Sequence, residues 1–423
     1  MAIESDVVVI GGGLAGTLAG IAAARRGARV YLLSATESTL RQSSGVIDVL
    51  GYPTPKDGPV VDPVAAIDTL PDEHPYRKLG NEAVNAALEL FDAVTAEVYD
   101  GSPRNQNALL LTPAGTVKPT WRYPATAGAG LLSDPRSMLL IGFETIPDFN
   151  APFVTARLSE QNVPCQVSGA TIRIPGDFRA DAVRTRIARA LDRNEPIAGS
   201  DDGMRSALAD AIRPHLDDAA RVGMPAILGY TAPHQVLADL EAELGVDVFE
   251  VPIGPPSIPG MRLEDCLLDM FQQAGGRVHH GAVAADAEAR NKHIQHVTVD
   301  HHGRDVRYTA DAYVLATGGL IGGGLRASRE SVEEPLFGCA VPHPVERYAW
   351  FDERPFGPHA FARFGVRVDD TLRPLDERDT PAFENLFAAG SVIGGIDFTA
   401  EHAGSGVAIT TGVHAGIGAS EVV

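Results

Sequence analysis

A glycine pattern beside the N-terminus constrains this sequence more than any other feature. Residues 6–10 form a β-branched apolar run, a small-residue helix is predicted over 14–26, and a second strand over 28–33. Between the first strand and the helix, glycines stand at Gly-x-Gly-x-x-Gly spacing: Gly11, Gly12, Gly13 and Gly16. In such a unit the glycines allow a tight turn, a close backbone approach to a phosphate, and close helix–strand packing. The pattern predicts a dinucleotide-binding βαβ unit, and a tight turn without a ligand is the simpler alternative.

The residue at the end of the second predicted strand bears on which nucleotide binds. Sites of this kind place an acidic residue about 20 positions on, where it holds the adenosine ribose. Ser34 occupies that place, and the nearest acid, Glu37, lies further along the loop. A hydroxyl offers weaker, single hydrogen bonds. The sequence therefore favours FMN, which lacks that ribose, or FAD held in a different way.

Three later segments have the same small-residue character. An apolar strand over 312–316 runs into Thr317 and Gly318, and a strand over 386–389 ends at Gly390. A helix predicted over 404–416 begins with residues that would leave its N-terminus accessible: Gly404, Ser405 and Gly406. The positive end of that helix dipole would stabilise an anionic reduced flavin. The alternative is a buried helix that only packs on the sheet.

Further candidate contacts are less specific. Ser43, Ser44 and Gly45 follow the first unit at loop spacing and are predicted to contact a flavin, with an ordinary turn as the alternative. His402, beside the C-terminal helix, is the one candidate for proton transfer, against a plain surface role. The histidines form no metal-binding pattern, so no metal site is predicted. Three arginines could bind a substrate phosphate but are expected to form ion pairs: Arg122, Arg262 and Arg373.

Composition narrows the class of protein. The formal net charge of −20 argues against a nucleic-acid partner, since phosphate backbones are bound by clustered Lys and Arg. Only four residues are lysine, and Asp is abundant, which is typical of a salt-adapted proteome, with a high-GC mesophile as the alternative. The three cysteines are too far apart for a disulfide framework or an iron–sulfur ligand set. Neither a secretory signal nor an apolar span is recognised, so a cytoplasmic protein is expected.

The order of the segments predicts a discontinuous α/β fold. We expect a Rossmann-like flavin-binding domain, with a parallel sheet and a β-meander, interrupted by an inserted middle domain. The expected boundaries are 1–75 for the first part of the flavin-binding domain, 76–262 for the middle or cap domain, and 263–423 for the remaining parts. The last stretch holds the meander, the Ala-Thr-Gly-Gly strand and the C-terminal helix.

Motifs along nearly the whole chain resemble those of the B-subunit family of anaerobic glycerol-3-phosphate dehydrogenases, flavoproteins related to the fumarate reductase and succinate dehydrogenase flavoproteins. The motifs from the first half are Gly11–Gly16, Ser43–Gly45 with Asp48, His74–Tyr76, and Gly115–Thr116 with Lys118, Thr120 and Trp121. Those from the second half are Pro255–Ser257, Pro259–Gly260, Arg262–Leu263, Leu315–Gly319, Glu334–Pro335, Phe364–Val366, Leu372–Pro374 and Gly390–Gly395.

The resemblance implies a function and partners. It implies one component of a three-part complex that oxidises sn-glycerol 3-phosphate to dihydroxyacetone phosphate and passes electrons toward a membrane quinone. It also implies FMN in this chain, an FAD-bearing catalytic partner, and an iron–sulfur partner that would hold the complex on the inner face of the membrane. Whether this chain oxidises substrate or relays electrons stays open. The alternatives are a stand-alone fumarate-reductase-like flavoenzyme and a non-catalytic assembly protein without flavin.

Overall fold

The computed structural model describes residues 2–54, 58–100, 105–178, 183–199, 202–300 and 304–423. The chain divides into two compact units. The first unit comprises Met1–Thr39, Asp48–Ala96 and Asp265–Val423, and the second unit comprises Leu40–Ile47 and Glu97–Glu264. The domain boundaries expected from the sequence, after residues 75 and 262, remain a prediction.

The β-strands are β1 (Ala2–Ile10), β2 (Val30–Ser34), β3 (Tyr99–Asp100), β4 (Ala108–Leu111), β5 (Val117–Thr120), β6 (Tyr123–Pro124), β7 (Met138–Phe143), β8 (Val167–Ile172), β9 (Arg221–Pro225), β10 (Asp247–Val251), β11 (Arg277–His280), β12 (Val283–Arg290), β13 (His293–Asp300), β14 (Asp305–Leu315), β15 (Arg326–Ala327), β16 (Val332–Glu333) and β17 (Leu386–Ala388). The α-helices are α1 (Leu14–Ala24), α2 (Pro75–Leu79), α3 (Asn81–Thr95), α4 (Ala151–Ser159), α5 (Arg184–Asp192), α6 (Met204–Ile212), α7 (Pro233–Leu244), α8 (Ile258–Gln273), α9 (Phe398–Glu401) and α10 (Gly404–Glu421).

The first unit is built on a mixed seven-stranded sheet in the order β11-β2-β1-β14-β13-β12, with β17 paired to β14. The strands β11, β2, β1, β14 and β17 run parallel, whereas β12 and β13 form an antiparallel meander against β14. Val7, Val8 and Val9 are fully buried, because helices cover a parallel strand on both faces. The predicted α/β class, with a parallel sheet plus a meander, is confirmed.

The second unit has its own four-stranded parallel sheet in the order β10-β9-β7-β8. Its core gathers apolar side chains from these strands and from α4 to α7, with Leu140, Val222 and Phe249 almost completely buried. A hairpin of β4 and β5 is a separate two-stranded sheet. Within the described ranges of both units, no helix combines the length and the apolar character that crossing a membrane requires.

Most predicted elements are present with shifted ends. The short alternating run over 277–283 predicts a strand of the meander, but β11 pairs in parallel with β2, and the antiparallel meander is formed by β12 and β13. The strand over 312–316 is the last part of the longer β14. The sequence pattern also predicts a helix over 179–194; α5 is observed there, and residues 179–182 lie outside the described residues.

Candidate cofactor site

The loops that carry the predicted site residues of the first unit leave the sheet at one edge. Ile10, the last residue of β1, is in register with Leu33 in β2 and with Leu315 in β14. Leu315 is in turn in register with Ala388 at the end of β17. In an open parallel sheet, ligands bind outside the carboxyl ends of the strands. The sheet therefore collects four of the predicted segments at the edge where open parallel sheets bind ligands.

The glycines of the first loop differ in what surrounds them. Gly11 has φ +116°, and a Cβ there would lie 2.1 Å from the Ala316 carbonyl oxygen. A Cβ on Gly16 would lie 1.9 Å from the carbonyl oxygen of Gly11. Gly13 is different, since a Cβ there would meet only Thr39 Oγ1 at 3.8 Å. Two glycines are thus required by packing, whereas the open side of Gly13 leaves room for a ligand to approach the backbone.

The start of α1 offers hydrogen-bond donors to that ligand. No side chain caps the helix at Gly13, and its first turn contains no acidic residue. The first N–H groups of a helix have no partner within it, and together with the dipole they favour an anion. A phosphate at this helix N-terminus would satisfy groups that the described side chains leave open.

Thr317 provides a second open polar group at the same edge of the sheet. Its Oγ1 is buried and has no hydrogen-bond partner among the described residues. Gly318, with φ +87°, turns the chain, and the N–H of Gly319 donates to Ser391 Oγ at 3.0 Å. A buried hydroxyl without a partner costs free energy, so a bound ligand group would stabilise it.

Ser34 lies at the end of β2, at the position where dinucleotide sites carry an acid. It is buried, and its hydroxyl donates to the carbonyl oxygen of Thr36 at 2.9 Å. A Cβ on Gly12 would lie 2.6 Å from Ser34 Oγ, so the glycine loop passes directly over this side chain. Because the Ser34 hydroxyl proton is already donated to the Thr36 carbonyl, Ser34 Oγ can act only as an acceptor for a further partner. A ribose hydroxyl could donate a hydrogen bond to it.

Helices α1 and α10 pack in parallel at backbone distance. A Cβ on Gly412 would lie 2.4 Å from the carbonyl oxygen of Ala15, and one on Gly416 would lie 2.1 Å from that of Ala19. Gly390, with φ +74°, also packs against Ala15. Gly412 lies level with Ala15, so α10 has eight residues before that level and α1 has one. At a rise of 1.5 Å per residue, the N-terminus of α10 therefore extends about 10 Å further than the N-terminus of α1 in the same direction. The first unit thus has two helix N-termini pointing the same way, one ahead of the other.

The N-terminus of α10 is only partly open. Its N-cap residue, Ala403, has no side-chain cap. The N–H of Gly406 donates to the Asp48 carbonyl at 2.8 Å, and a Cβ there would lie 2.2 Å from the Tyr76 hydroxyl. Gly406 is therefore required by packing. Gly404 and Ser405 are half-buried, and no described hydrogen bond uses their N–H groups, so these two remain the better candidates for a ligand contact.

A buried charge cluster supports the segment before α10. Glu401 is 2% exposed, and its Oε1 lies 2.7 Å from the Arg363 guanidinium, while its Oε2 lies 3.2 Å from Nε2 of the fully buried His74. The backbone carbonyl of Glu401 accepts hydrogen bonds from Gly51 and Tyr52. One residue thus connects three separate parts of the chain at the start of α10.

The hydrogen bonds within this cluster fix its protonation pattern. His74 Nδ1 accepts from the Tyr76 N–H at 3.1 Å, so in the neutral imidazole the proton is on Nε2, which faces Glu401. Burial first, and then the charges of Glu401 and Asp48, raise the pKa of Tyr76 well above its ordinary value. Tyr76 therefore stays neutral and donates its hydroxyl proton to the Val49 carbonyl at 2.8 Å.

His402 follows Glu401 directly and stands at the junction between α9 and α10. Its backbone is left-handed, with φ +48°, an uncommon conformation for a residue other than glycine. Its ring packs edge-on against Tyr52, with 5.0 Å between the ring centroids. The half-buried imidazole is thus held by its neighbours beside the start of α10.

The remaining candidates have structural partners. In the second unit, Ser43 donates its hydroxyl to the Leu40 carbonyl, and a Cβ on Gly45 would lie 2.5 Å from Pro259. Ser44 is half-buried. Arg262 pairs with Glu250 and Arg373 with Asp369, as expected, and the Arg122 guanidinium stacks over Trp121.

Comparison with known proteins agrees with this geometry. A family model for an FAD-binding domain matches residues 6–407. A protein named as the probable B subunit of anaerobic glycerol-3-phosphate dehydrogenase, from Halobacterium salinarum, is 51% identical over 100% of this chain and 99% of its own length. Its counterpart in Pectobacterium atrosepticum is 32% identical over 97% of each chain. A quinol fumarate reductase structure from E. coli aligns with 100% of this chain and 71% of its own chain, at 12% identity and a TM-score of 0.42, which is a weak similarity.

The fold and the open polar groups at the sheet edge are those of a nucleotide-binding flavoprotein. The chain belongs to the FAD-binding domain family and, within it, to the B subunits of anaerobic glycerol-3-phosphate dehydrogenase. The expectation of flavin binding is confirmed by the family. The preference for FMN, which was based on Ser34 and on the family resemblance, has no support from the family model.

The residues present fit a flavin nucleotide. The open side of Gly13 and the uncapped start of α1 suit a phosphate, the buried Thr317 hydroxyl lacks a partner among the described residues, and Ser34 keeps an acceptor. When bound, the flavin would supply the two-electron acceptor.

Sequence reasoning missed the cluster around Glu401. From the sequence, His74 is used only as part of a family motif, and no role is assigned to Glu401. A usable signal existed, because a histidine directly before a proline at the start of a helix is a capping arrangement. The contact between residues 74 and 401 has no signal in a single sequence.

Proposed function

We propose that this chain is the flavin-binding component of an anaerobic glycerol-3-phosphate dehydrogenase complex. In this reaction sn-glycerol 3-phosphate is oxidised to dihydroxyacetone phosphate, and the electrons pass toward a membrane quinone. The observation that carries the proposal is the 51% identity to the Halobacterium salinarum protein over the full length of this chain. The acidic, lysine-poor composition supports a salt-adapted cytoplasm as its setting.

The cofactor proposed is FAD, with its pyrophosphate at α1 and its isoalloxazine toward α10. The offset of about 10 Å between the two helix N-termini supports an elongated ligand that spans both. Ser34 would accept a hydrogen bond from the adenosine ribose, which replaces the usual carboxylate by a weaker contact. FMN would leave Ser34 without a role.

Two partners are proposed: an FAD-bearing catalytic partner, and an iron–sulfur partner that connects the complex to the inner face of the membrane. The relatives are named as the B subunits of their enzyme, which implies other subunits. The three cysteines of this chain are all free, and two of them are buried. This supports the proposal that the iron–sulfur clusters are bound by a different chain.

For the case in which this chain, and not its FAD-bearing partner, oxidises the substrate, we propose His402 as the group that accepts the substrate hydroxyl proton. Oxidation of a secondary alcohol removes a hydride from carbon and a proton from the hydroxyl, and an imidazole nitrogen is a suitable acceptor for that proton. The support is its position directly before α10, in a fixed left-handed conformation. Asn tolerates this conformation, so the His402→Asn variant removes the imidazole with little backbone change.

The test begins with the absorption spectrum of the chain purified in high salt, and with the mass of the released cofactor. FAD is the expected result, FMN would overturn the cofactor assignment, and a colourless protein that takes up neither would support an assembly protein without flavin. Glycerol 3-phosphate is then added without oxygen, to this chain alone and to this chain with its FAD-bearing partner.

Bleaching of the flavin in the isolated chain would assign the oxidation to this protein, and His402→Asn should then slow bleaching about 100-fold. Bleaching only in the presence of the FAD-bearing partner would make this chain a relay. Bleaching of the flavin by succinate, the electron donor of the fumarate/succinate couple, but not by glycerol 3-phosphate would contradict the proposal.

A further inference from the structure

Arg363 differs from the other paired arginines of the first unit in the burial of its partner. Its guanidinium lies 2.7 Å from the Glu401 carboxylate, which is 2% exposed, while the Arg363 side chain itself is 43% exposed. The carboxylates in the other described arginine pairs of this unit are 14% to 92% exposed: Asp6, Asp68, Asp72, Asp352, Asp369 and Asp379. Arg363 is thus held from the interior of the fold and reaches solvent on its other side.

The backbone around Arg363 fixes the position of its side chain. Its Nη1 donates to the Gly395 carbonyl at 2.9 Å, and the Gly395 N–H donates back to the Arg363 carbonyl at 3.0 Å. A Cβ on Gly365 would lie 2.3 Å from the Gly394 nitrogen, so the two segments run at backbone contact distance. The second of these segments follows β17. Arg363 is therefore attached to a loop at the carboxyl edge of the sheet, where open parallel sheets bind ligands.

The hydrogen-bonding capacity of Arg363 is only partly used. A guanidinium has five N–H donors, and among the described residues only Gly395 and Glu401 take up Nη1 and Nη2, with no partner for Nε. Glu401 does not depend on this arginine alone, because its carboxylate also accepts from the Asp397 N–H at 3.2 Å and lies 3.2 Å from His74 Nε2. The guanidinium can therefore bind a further anion from its solvent side.

Two more polar side chains are attached to the same buried residue. The Tyr52 N–H donates to the Glu401 carbonyl at 3.0 Å, and the Tyr52 ring packs edge-on against His402. The Tyr52 hydroxyl enters no hydrogen bond among the described residues, and burial raises the pKa of Tyr52, so the hydroxyl keeps its proton at neutral pH. Glu401 thus connects a cation, a hydroxyl and an imidazole beside the start of α10.

These groups define the chemistry of a ligand. A fixed guanidinium with unused N–H donors suits an oxyanion such as a phosphate. A hydroxyl and an imidazole suit the hydroxyl or carbonyl oxygens of an alcohol or a ketone. An anion that approaches a chain of net charge −20 requires a local cation, and Arg363 provides one.

We propose that Arg363 binds the phosphate group of the three-carbon substrate, with Tyr52 and His402 toward its oxygen-bearing carbons. This rests on the proposed function, in the case in which this chain itself oxidises the substrate. Arg363 then determines the preference for a phosphorylated over an unphosphorylated compound, because loss of the phosphate leaves its donors without a partner.

The test compares two ligands that differ only in the phosphate, dihydroxyacetone phosphate and dihydroxyacetone. Both are ketones and do not reduce the flavin, so their binding to the oxidised, flavin-loaded full chain is measured by equilibrium dialysis in concentrated potassium chloride. Arg363→Gln should weaken binding of dihydroxyacetone phosphate about 10- to 100-fold and leave binding of dihydroxyacetone unchanged.

The matched control is Arg367→Gln. Arg367 is 44% exposed and likewise has one ion pair, with Asp379, and one backbone acceptor, the Asp376 carbonyl. Its partner carboxylate is exposed, and Arg367→Gln should bind both compounds like the wild type.

A second variant separates ligand binding from folding. Arg363→Lys keeps a cation beside Glu401, so the chain should fold, but a single ammonium cannot replace the planar fork of donors. It should also weaken binding of dihydroxyacetone phosphate, by about tenfold. Tyr52→Phe should weaken both compounds by the same factor, because the lost hydroxyl does not contact the phosphate.

Wild-type affinity for dihydroxyacetone phosphate in both Arg363 variants would overturn the proposal. So would an equal loss for the two compounds, which a general distortion produces, or displacement of dihydroxyacetone phosphate by an equal concentration of inorganic phosphate. A flavin-loaded wild type that binds no dihydroxyacetone phosphate would refute this site and leave the flavin function standing. A colourless chain that binds it through Arg363 would refute the flavin function and leave the phosphate site standing.

Discussion

In the second unit, buried charges are paired inside the fold. Arg262 bonds to Glu250 and to the Gly229 carbonyl, and the fully buried Arg221 donates to four backbone carbonyls. In the first unit, α1 and α10 begin without caps, and the buried Thr317 hydroxyl has no described partner. The second unit pairs its large buried charges internally, whereas the first unit leaves backbone donors and one hydroxyl open at the edge of its sheet.

The difference separates stability from binding. A polar group that is paired internally contributes to folding, whereas one left open costs free energy until a ligand arrives. Substitutions in the second unit should therefore change stability without changing flavin affinity. Substitutions at the open polar groups of the first unit should change flavin affinity without changing stability. Glu401 is the exception, because it is a buried, paired charge within the first unit.

The largest effect is expected for Arg262→Met. It leaves the Glu250 carboxylate buried and without its cation, so the free energy of unfolding should fall by about 3–5 kcal/mol. Denaturant unfolding in high salt measures this, with Arg213→Met, at a half-exposed arginine, as the control. The double variant Arg262→Met, Glu250→Leu should recover much of the loss. A large fall in flavin affinity in the folded variant would break the separation between the units.

The Glu401→Gln variant should lower both the stability of the chain and its affinity for flavin. The carboxylate faces the Arg363 guanidinium on one side and the His74 Nε2 proton on the other. An amide has one oxygen, so its NH₂ group must face one of these donors, which costs about 1–3 kcal/mol. Flavin affinity should fall several-fold, because Glu401 supports the start of α10.

The control for this change is Glu384→Gln. Glu384 also pairs with a histidine, His293 at 3.3 Å, but both side chains are about half exposed. It should change stability by less than about 0.5 kcal/mol. Equal losses of stability in Glu401→Gln and Glu384→Gln would show that burial of the His74–Glu401 pair does not increase its contribution to stability.

Gly13→Ala should weaken flavin binding with little effect on the fold. A Cβ at this position has room in the protein, but it would occupy the side from which the phosphate approaches the backbone. We expect the dissociation constant for FAD to rise about tenfold, equivalent to about 1.4 kcal/mol, measured by titration of the apoprotein. Apoprotein stability should change by less than about 1 kcal/mol. Gly254→Ala, also in open space, is the control, and unchanged affinity for Gly13→Ala would refute the phosphate position.

Local patterns predicted most of the first unit. Residues 6–34 form a βαβ unit whose strand, glycine turn and helix are adjacent in sequence, so each signal reinforces the next. The small residues from Gly404 onward correctly predicted a helix, because glycines at 412 and 416 are there for its close packing on α1. The site could be outlined for the same reason, since each motif stands at the end of its own strand.

What the sequence could not provide are pairings between distant segments. The parallel sheet of the second unit joins β7, β8, β9 and β10 across long connections, and no single strand shows this. The pair of His74 and Glu401 is likewise invisible, because neither residue lies in a pattern that needs the other. The N-terminal glycines predict a nucleotide site, but Ser34 could not decide between FMN and FAD from sequence alone, since a hydroxyl can accept a hydrogen bond from a ribose without being required for one.

The smallest effect expected is a pH dependence confined to the second unit. Hydrogen bonds from the Arg136 guanidinium lower the pKa of the Asp134 carboxyl to about 2, against about 3.9 in an unfolded chain. A lowered folded-state pKa means that Asp134 contributes its full stabilisation above about pH 4 and loses it as the pH falls toward 2. The free energy of unfolding of Asp134→Asn should therefore lie below that of the wild type at pH 5, by less than about 1 kcal/mol, and approach it near pH 2. Arg136→Met should remove the same pH dependence, because it removes the donor that lowers the pKa. If the difference in free energy of unfolding between the wild type and Asp134→Asn stays constant from pH 5 to pH 2, this carboxylate is not among the paired charges that stabilise the second unit.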